Sequence, residues 1–395
     1  MKKLFELLIA ALALSACYSP EPFEAEDSGE SAVSGQSSKI GKMFHVNGME
    51  QVCNPSVSQD AEKYPASMLW LNFGGTLRVN APDSAYTTKR VKQHDRLTVS
   101  DTAGNVKWYM MVGKDECQFQ DPEWSTHGGF IVALRGNAFK DGKLNCGGAL
   151  DYKIFAVRMA DQKKFWFLDK NSLETASPHL WVKESASPDT SAPDSTVEGF
   201  FGTKDVRLVY VDSVDATEKI VFVNFADGGK KPVTLKKPAG KEKWGIDAPL
   251  ISPDGNFVVY NVLETPSTWE AYIQELSANS TPIKIERVAG MVSEPAQPHW
   301  FEFNGRLFVL WAEFAAQEGM LNRSTDLTEE SVQDGSFGRT AMREIRLAAN
   351  APSDLAFEWI DEMREVAPVP MIGGRSPDGK FLATGTNPAY LLKLP

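Results

Sequence analysis

The residues of this chain that could do chemistry do not fall into a recognised catalytic arrangement. There is no Gly-x-Ser-x-Gly nucleophile motif, no phosphate-binding glycine loop ending in Gly-Lys-Ser/Thr, and no His-Glu-x-x-His zinc motif. The histidines are scattered, and no two of them have the spacing that places ligands on one helix face. They are His45, His94, His127, His179 and His299. We therefore predict no metal site and no cofactor, and the sequence identifies no catalytic residue.

Carboxylates and tryptophans are the remaining candidates for chemistry. The chain has 52 acidic and 41 basic residues, and its formal charge of −11 argues against a nucleic-acid partner. Two carboxylates that face each other could act as general acid and base on a polysaccharide, but a sequence does not show which pairs meet. Of ten tryptophans, three fall near predicted loops and are candidates for stacking on sugars: Trp181, Trp244 and Trp269.

The first residues have the pattern of an export signal. Lys2 and Lys3 precede a short apolar run that is too short to span a membrane as a helix. The run ends in Leu-Ser-Ala-Cys at 14–17, which resembles the lipobox of bacterial lipoproteins. The resemblance implies that residues 1–16 are removed, that Cys17 carries the lipid, and that acyl chains such as palmitate anchor the chain in a membrane. Tyr18 follows where an aspartate retains some lipoproteins in the inner membrane, so the resemblance favours the outer membrane.

An exported chain can form disulfides, and three further cysteines are available. Cys117 with Cys146 is the first choice, because both fall in loops around one predicted hairpin. Cys53 with Cys146 is the alternative. Residues 17–40 are acidic, rich in serine and poor in apolar residues, so we expect a disordered tether after the lipidated cysteine.

A repeated turn organises the remainder of the chain. Ser252-Pro253-Asp254-Gly255 precedes an apolar run, and the same four residue types return at Ser376-Pro377-Asp378-Gly379 before another apolar run. Proline presets the first corner of such a turn, aspartate bonds its own backbone, and glycine adopts a positive φ. We expect Gly255 and Gly379 to have a positive φ or a tightly packed backbone. Weaker copies contain Gly128 and the pair Asn304-Gly305.

Short apolar runs separated by turns, recurring about every 40–50 residues, predict an all-β fold built from repeats. The turn and strand pattern resembles the TolB-type β-propeller, whose WD40-like blades are four-stranded antiparallel sheets. The resemblance is clearest over 240–310 and 370–395, and it implies roughly six or seven blades over 41–395. The last repeat lacks a fourth strand, and residues 43–52 could supply it and close the ring.

Residues 183–199 form a second segment rich in Ser, Pro and Asp. We expect it to loop out between blades of one ring. The alternative is two separate β modules, 41–182 and 200–395.

The leading interpretation is a lipid-anchored envelope propeller that binds another protein or an envelope polymer. The alternative is a polysaccharide-binding protein, or a polysaccharide hydrolase or lyase that uses acidic residues in the propeller channel. Convergence of two or more carboxylates, or of histidines, at the channel would favour the enzyme. A channel of mixed polar and apolar side chains would favour binding.

Overall fold

A computed structural model describes residues 41–395 apart from twelve short ranges, which are 74–76, 89–91, 148–149, 168–175, 185–194, 215–216, 229–230, 266–267, 288–292, 315–336, 351–355 and 386–387. The predicted signal peptide, Cys17 and the tether lie outside the described residues. The described part is all-β, with two five-residue helices at Ser84–Thr88 and Val197–Phe201.

Five sheets each consist of antiparallel strands that are consecutive in the chain, as the repeated turns predict. Blade 1 contains β2 (Val52–Val57), β3 (Ser67–Asn72), β4 (Arg96–Asp101) and β5 (Val106–Met111). Blade 2 contains β6 (Gln118–Trp124), β7 (Phe130–Asn137), β10 (Asp151–Arg158) and β11 (Lys163–Trp166), with a small hairpin of β8 (Phe139–Lys140) and β9 (Lys143–Leu144) between β7 and β10.

Blades 3 to 5 follow the same order. Blade 3 contains β12 (Ala176–Val182), β13 (Val206–Val214), β14 (Thr217–Asn224) and β15 (Val233–Thr234). Blade 4 contains β16 (Gly245–Ile251), β17 (Phe257–Thr265), β18 (Thr268–Glu275) and β19 (Ile283–Lys284). Blade 5 contains β20 (Ala296–Phe303), β21 (Arg306–Phe314) and β22 (Gly338–Leu347), and β22 pairs with both β23 (Phe357–Trp359) and β24 (Arg364–Ala367).

Blade 6 joins the two ends of the described chain. Its strands β25 (Phe381–Thr384) and β26 (Tyr390–Lys393) are followed outward by β1 (Lys42–His45), which pairs with β26 from Lys42 opposite Lys393 to His45 opposite Tyr390. The inner position is taken by 372–375, since the Ile372 amide donates to the Ala383 carbonyl at 2.9 Å. The N-terminal segment therefore supplies the strand that the last repeat lacks.

The hydrophobic core is divided into layers between neighbouring blades. Side chains alternate between the two faces of each strand, so Val258 packs toward blade 3 while Val259 packs toward blade 5. Such layers lie between every pair of successive blades, including one between blades 6 and 1 that contains Leu391 and Trp70. The fold is a closed six-bladed β-propeller, so the prediction of the fold class is confirmed and the blade number is six.

The position of residues 183–199 differs from the expectation. β12 pairs with β13 across this segment, so it connects the first two strands of blade 3 and does not lie between blades. A boundary between modules at this point would cut through one sheet. Only the start and the end of the segment lie in the described part of the chain.

Candidate functional site

The first strand of each blade faces the centre of the ring, because first strands of successive blades contact each other and the fourth strands lie outside. In five blades this strand contains a β-bulge at which one residue with positive φ precedes a proline. The five bulge residues are Asn54, Asp121, Ser177, Ala248 and Gln297. Proline suits a bulge because it has no N–H that would be left without a ladder partner.

Each of these bulge residues is half-buried, whereas the proline that follows it is buried. In blade 6 the corresponding inner segment contains Gly373, with φ +96°, where a Cβ would lie 1.9 Å from the Pro55 carbonyl oxygen. The five first strands and the inner segment of blade 6 therefore present a ring of polar and small residues to the central channel. The sequence contains a signal for this ring that the repeated turns did not reveal, namely the prolines at 55, 122, 178, 249 and 298.

Two channel carboxylates are joined through one serine. The Ser177 amide donates to Asp121 Oδ2 at 2.9 Å, and its hydroxyl donates to Asp247 Oδ1 at 2.8 Å. The three residues come from blades 2, 3 and 4, so this network also ties three inner strands together. Burial, with the Asp247 charge adding to it, raises the pKa of Asp121 to about 6, and burial also raises the pKa of Asp247.

Glu123 lies two residues after Asp121 on the same strand. Its carboxylate accepts a hydrogen bond from the Ser56 hydroxyl of blade 1 and one from the Trp124 amide at 2.8 Å. Burial raises the pKa of Glu123 to about 7, although both hydrogen bonds oppose that shift. Near neutral pH the side chain therefore exchanges between its acid and its carboxylate form.

Two histidines occupy positions in blades 3 and 5 that correspond to Glu123. The Ile251 amide donates to Nδ1 of His179 at 3.0 Å, so the other ring nitrogen of neutral His179 carries the proton. Nδ1 of His299 lies 2.9 Å from the Gln297 carbonyl and donates to it. Burial lowers the pKa of His179 to about 3, with the nearby His299 contributing, and burial lowers the pKa of His299 to about 4. Both imidazoles are neutral at pH 7, and the channel carries negative charge.

The channel thus brings together three carboxylates and two histidines that lie up to 178 residues apart in the chain, from Asp121 to His299. Apolar residues also reach this ring, as Ala248 does at its bulge. Such an arrangement can accept hydrogen bonds from hydroxyl groups and can exchange protons near neutral pH. Among the described residues no group of three or more His, Cys, Asp or Glu side chains is arranged to hold a metal ion.

The repeat turns that the sequence singles out have a structural role outside the channel. In both complete copies the serine hydroxyl accepts from the amide that starts the next strand, at 2.9 Å for Ser252 with Phe257 and for Ser376 with Phe381. Gly255 and Gly379 have φ of +77° and +73°, which confirms the expected conformation. Asp254 and Asp378 each accept from their serine and from an amide two residues on. Pro253 and Pro377 occupy the first corners.

The weaker copies use other chemistry. Asn304 and Gly305 both have positive φ and form a two-residue hairpin turn between β20 and β21. Gly128 is not in that conformation; a Cβ there would lie 2.6 Å from the Cβ of Asp60 in blade 1, so glycine permits a close contact between blades.

The expectation that the three selected tryptophans are exposed is wrong for two of them. Trp181 is buried between blades 3 and 4 and donates to the Pro253 carbonyl at 2.7 Å, and Trp269 is buried between blades 4 and 5. Trp244 is half-buried, with the Lys241 ammonium 3.4 Å from its ring centroid. These aromatic rings pack the seams between blades instead of lining the channel.

Cys117 and Cys146 form a disulfide, which is the first of the two predicted pairings. It connects the start of β6 to the loop after the β8–β9 hairpin. In the part of the chain that the structure describes, no helix has the length and apolar character needed to cross a membrane.

The class of protein that these features define is a closed six-bladed β-propeller with a polar, acidic central channel. A comparison with protein-family models found no match, and a comparison with curated proteins found none. Among solved structures the chain is similar to TolB from Acinetobacter baumannii, with 10% identity, a TM-score of 0.42, and coverage of 84% of this chain and 64% of that one. The chain thus spans less than two thirds of the length of that protein.

Two further structures illustrate the likeness. A putative TolB from Agrobacterium tumefaciens matches with 13% identity and a TM-score of 0.41, over 91% of this chain and 100% of that one. The α-L-arabinanase of Penicillium chrysogenum, solved with arabinobiose, matches with 11% identity and a TM-score of 0.46, over 91% of this chain and 98% of that one. The likeness is one of propeller architecture only.

Proposed function

We propose that this chain is a lipid-anchored cell-envelope propeller whose channel binds a neutral polysaccharide. The observation that carries the proposal is the group formed by Asp121, Ser177 and Asp247 on three inner strands, with Glu123 two residues after Asp121 on the same strand. Carboxylates are strong acceptors, and sugar hydroxyls are donors that can approach them without adding charge. A negative channel disfavours an anionic polymer by repulsion.

The alternative partner, an envelope protein, fits the channel less well. A folded protein would contact the rim of the ring, whereas the acceptors described above lie on the inner strands, at half-buried positions. A sugar chain is rich in the hydroxyl groups that these acceptors bind.

The test is polysaccharide binding by the purified full chain, measured by affinity electrophoresis against a panel of neutral polysaccharides. Asp247→Asn and Glu123→Gln keep the size of each side chain but weaken it as an acceptor, so each should reduce affinity by about tenfold or more. Glu62→Gln, at an exposed position outside the channel, is the matched control and should bind like the wild type. Binding that is equal in all four proteins would contradict the proposal.

Hydrolysis of the bound polysaccharide is the second candidate. The observation that favours it is that Asp121 and Glu123 lie on one inner strand and that burial raises the pKa of both carboxyls toward neutral pH, where a carboxyl can act as a general acid or a general base. Release of reducing ends that is maximal near pH 6–7 and lost in Glu123→Gln would support this role. If the polysaccharide binds but no reducing ends are released between about pH 5 and pH 8, the channel is a binding site without hydrolytic activity.

The anchor is a separate part of the proposal. The lipobox-like sequence at 14–17 supports lipidation at Cys17, and Tyr18 supports delivery to the outer membrane. Mass spectrometry of the mature N-terminus should find an acylated cysteine, and Cys17→Ser should leave the chain unprocessed. An unmodified mature N-terminus at another residue would refute the assignment, and recovery with inner-membrane vesicles would refute the location.

A further inference from the structure

The end of blade 2 at which β7 stops has an exposed hairpin that contains one aromatic ring. β8 and β9 pair through Phe139 with Leu144 and Lys140 with Lys143, and the hairpin continues from the end of β7. The disulfide from Cys146 to Cys117 fixes its return to the sheet. Phe139 is 60% exposed and belongs to none of the core clusters, so its ring can contact a partner.

A cluster of cations surrounds a second exposed aromatic ring at the same end of the blade. Trp166 is 37% exposed, and the charged groups of Arg135, Lys153 and Lys164 lie 5.1, 5.6 and 5.8 Å from its ring centroid. Arg135 pairs directly with Lys153 between β7 and β10, two residues before β7 ends. The strand register therefore places this cluster next to the base of the hairpin.

The charge of this surface is opposite to that of the chain. Its cations are Arg135, Lys140, Lys143, Lys153 and Lys164. Lys164 is paired with Glu116 at 2.7 Å, and Asp141 and Asp151 are the other carboxylates on these strands and the hairpin. Lys153 makes no ion pair with any described residue, and the same is true of Lys140 and Lys143. With Lys114 and Asp115, which precede Glu116 in a loop against the end of β7, six cations and four carboxylates give this face a formal charge of +2 on a chain whose formal charge is −11.

We propose that this end of blade 2, from the hairpin to Trp166, lies against a membrane surface that contains anionic lipids. An exposed ring beside lysine and arginine is suited to that boundary, since Phe139 can enter the headgroup region while the ammonium groups meet lipid phosphates. Each basic residue close to such a surface adds attraction that salt weakens.

Two observations favour lipid over an acidic polysaccharide at this face. Three cations already surround the indole of Trp166, so its ring is not an open platform for a sugar. The most exposed ring, Phe139, belongs to a hairpin that projects from the end of the sheet, where a flat surface can meet it.

The contact would fix the orientation of the propeller on its membrane. This step rests on the anchor of the proposed function: a lipid on Cys17 would keep the domain near the surface, and a weak second contact would then become effectively intramolecular. This inference goes beyond the channel function and does not depend on it, because the two sites share no residue.

The test uses the full chain in vesicles of phosphatidylglycerol with brominated acyl chains, which quench a tryptophan that enters the headgroup boundary. Phe139→Trp adds a reporter at the hairpin. Met49→Trp is the matched control, since Met49 is 67% exposed and lies outside blade 2. We expect the fluorescence added at 139 to be quenched and that added at 49 to remain unquenched.

Removing charge should separate this contact from simple proximity to the membrane. Replacing Lys140 and Lys143 together with glutamine in the Phe139→Trp chain should abolish the quenching, as should neutral brominated phosphatidylcholine. Equal quenching at 139 and 49, or quenching that persists without the two lysines, would overturn the proposal. Lysine-dependent binding of polygalacturonate, with equal quenching at both positions, would assign the face to an acidic polymer instead and would also overturn it.

Discussion

Alanine at Gly255 should destabilise the propeller more than alanine at Gly305 or Gly379, the other repeat-turn glycines with positive φ. Gly255 has φ of +77°, and a Cβ there would lie 2.8 Å from the indole of Trp181 and 2.9 Å from Nη1 of Arg207. Trp181 cannot move aside easily, because it is buried and its Nε1 donates to the Pro253 carbonyl at 2.7 Å. The substitution therefore combines backbone strain with overpacking of a seam between blades.

The structure provides internal controls that separate these two effects. Gly305 has φ of +69°, but a Cβ there would meet nothing within 4 Å, so Gly305→Ala reports the backbone strain alone, about 1 kcal/mol. Gly379, with φ of +73°, would place its Cβ at an ordinary contact distance of 3.4 Å from Nη2 of Arg375. Overpacking typically adds about 1–3 kcal/mol, so Gly255→Ala should cost about 2–4 kcal/mol in total.

Urea unfolding followed by tryptophan fluorescence gives the comparison directly. The expected order of the loss in unfolding free energy is Gly255→Ala, then Gly379→Ala and Gly305→Ala close together. The slope of the free energy against urea should be the same in all variants, so that the midpoint reports stability. A loss at Gly255 no larger than the loss at Gly305 would refute the argument that Trp181 clamps this turn.

Three further predictions concern the disulfide, the channel and the ring closure. Replacing Cys117 and Cys146 with serine opens a loop of 29 residues and should lower the unfolding free energy by about 3–4 kcal/mol, whereas unchanged stability under oxidising conditions would contradict the pairing. The pKa of Glu123 is raised from 4.5 to about 7. Between these two pH values the folded chain binds a proton that the unfolded chain releases, so the contribution of Glu123 to stability falls as pH rises. Glu123→Gln retains an acceptor for Ser56 and the Trp124 amide. The unfolding free energy of this variant, relative to that of the wild type, should therefore be greater at pH 8 than at pH 5. The same difference in free energy at both pH values would refute the raised pKa. Deleting Lys42–His45 should remove the hydrogen-exchange protection of those amides in 390–393 that bond to β1. It should also lower the unfolding midpoint of the whole chain, because Met43 and Phe44 pack in the seams on the two sides of blade 6. Loss confined to the first residues of blade 1 would argue against closure.

The sequence by itself determined the repeat and its local geometry. The Ser-Pro-Asp-Gly turns form as expected because their residues satisfy the turn through bonds to atoms at most five positions away, as Ser252 does with Phe257. The apolar runs after them alternate between two buried faces, which is sufficient to predict stacked sheets. The need for an added strand after Leu394 also followed from counting strands, and β1 fills that position.

Only the tertiary structure decided which side chains meet in the channel. Asp121, Ser177 and Asp247 are brought together by the closure of the ring, since each comes from a different blade and no local spacing relates them. The same cause explains the error at Trp181: its neighbours along the chain predict a loop, but its environment is set by the turn of the next blade, 72 residues away. Burial and pKa in a propeller depend on contacts between repeats, whereas turns and strands depend on contacts within them. A single sequence therefore predicts the blades well and the chemistry of the channel poorly.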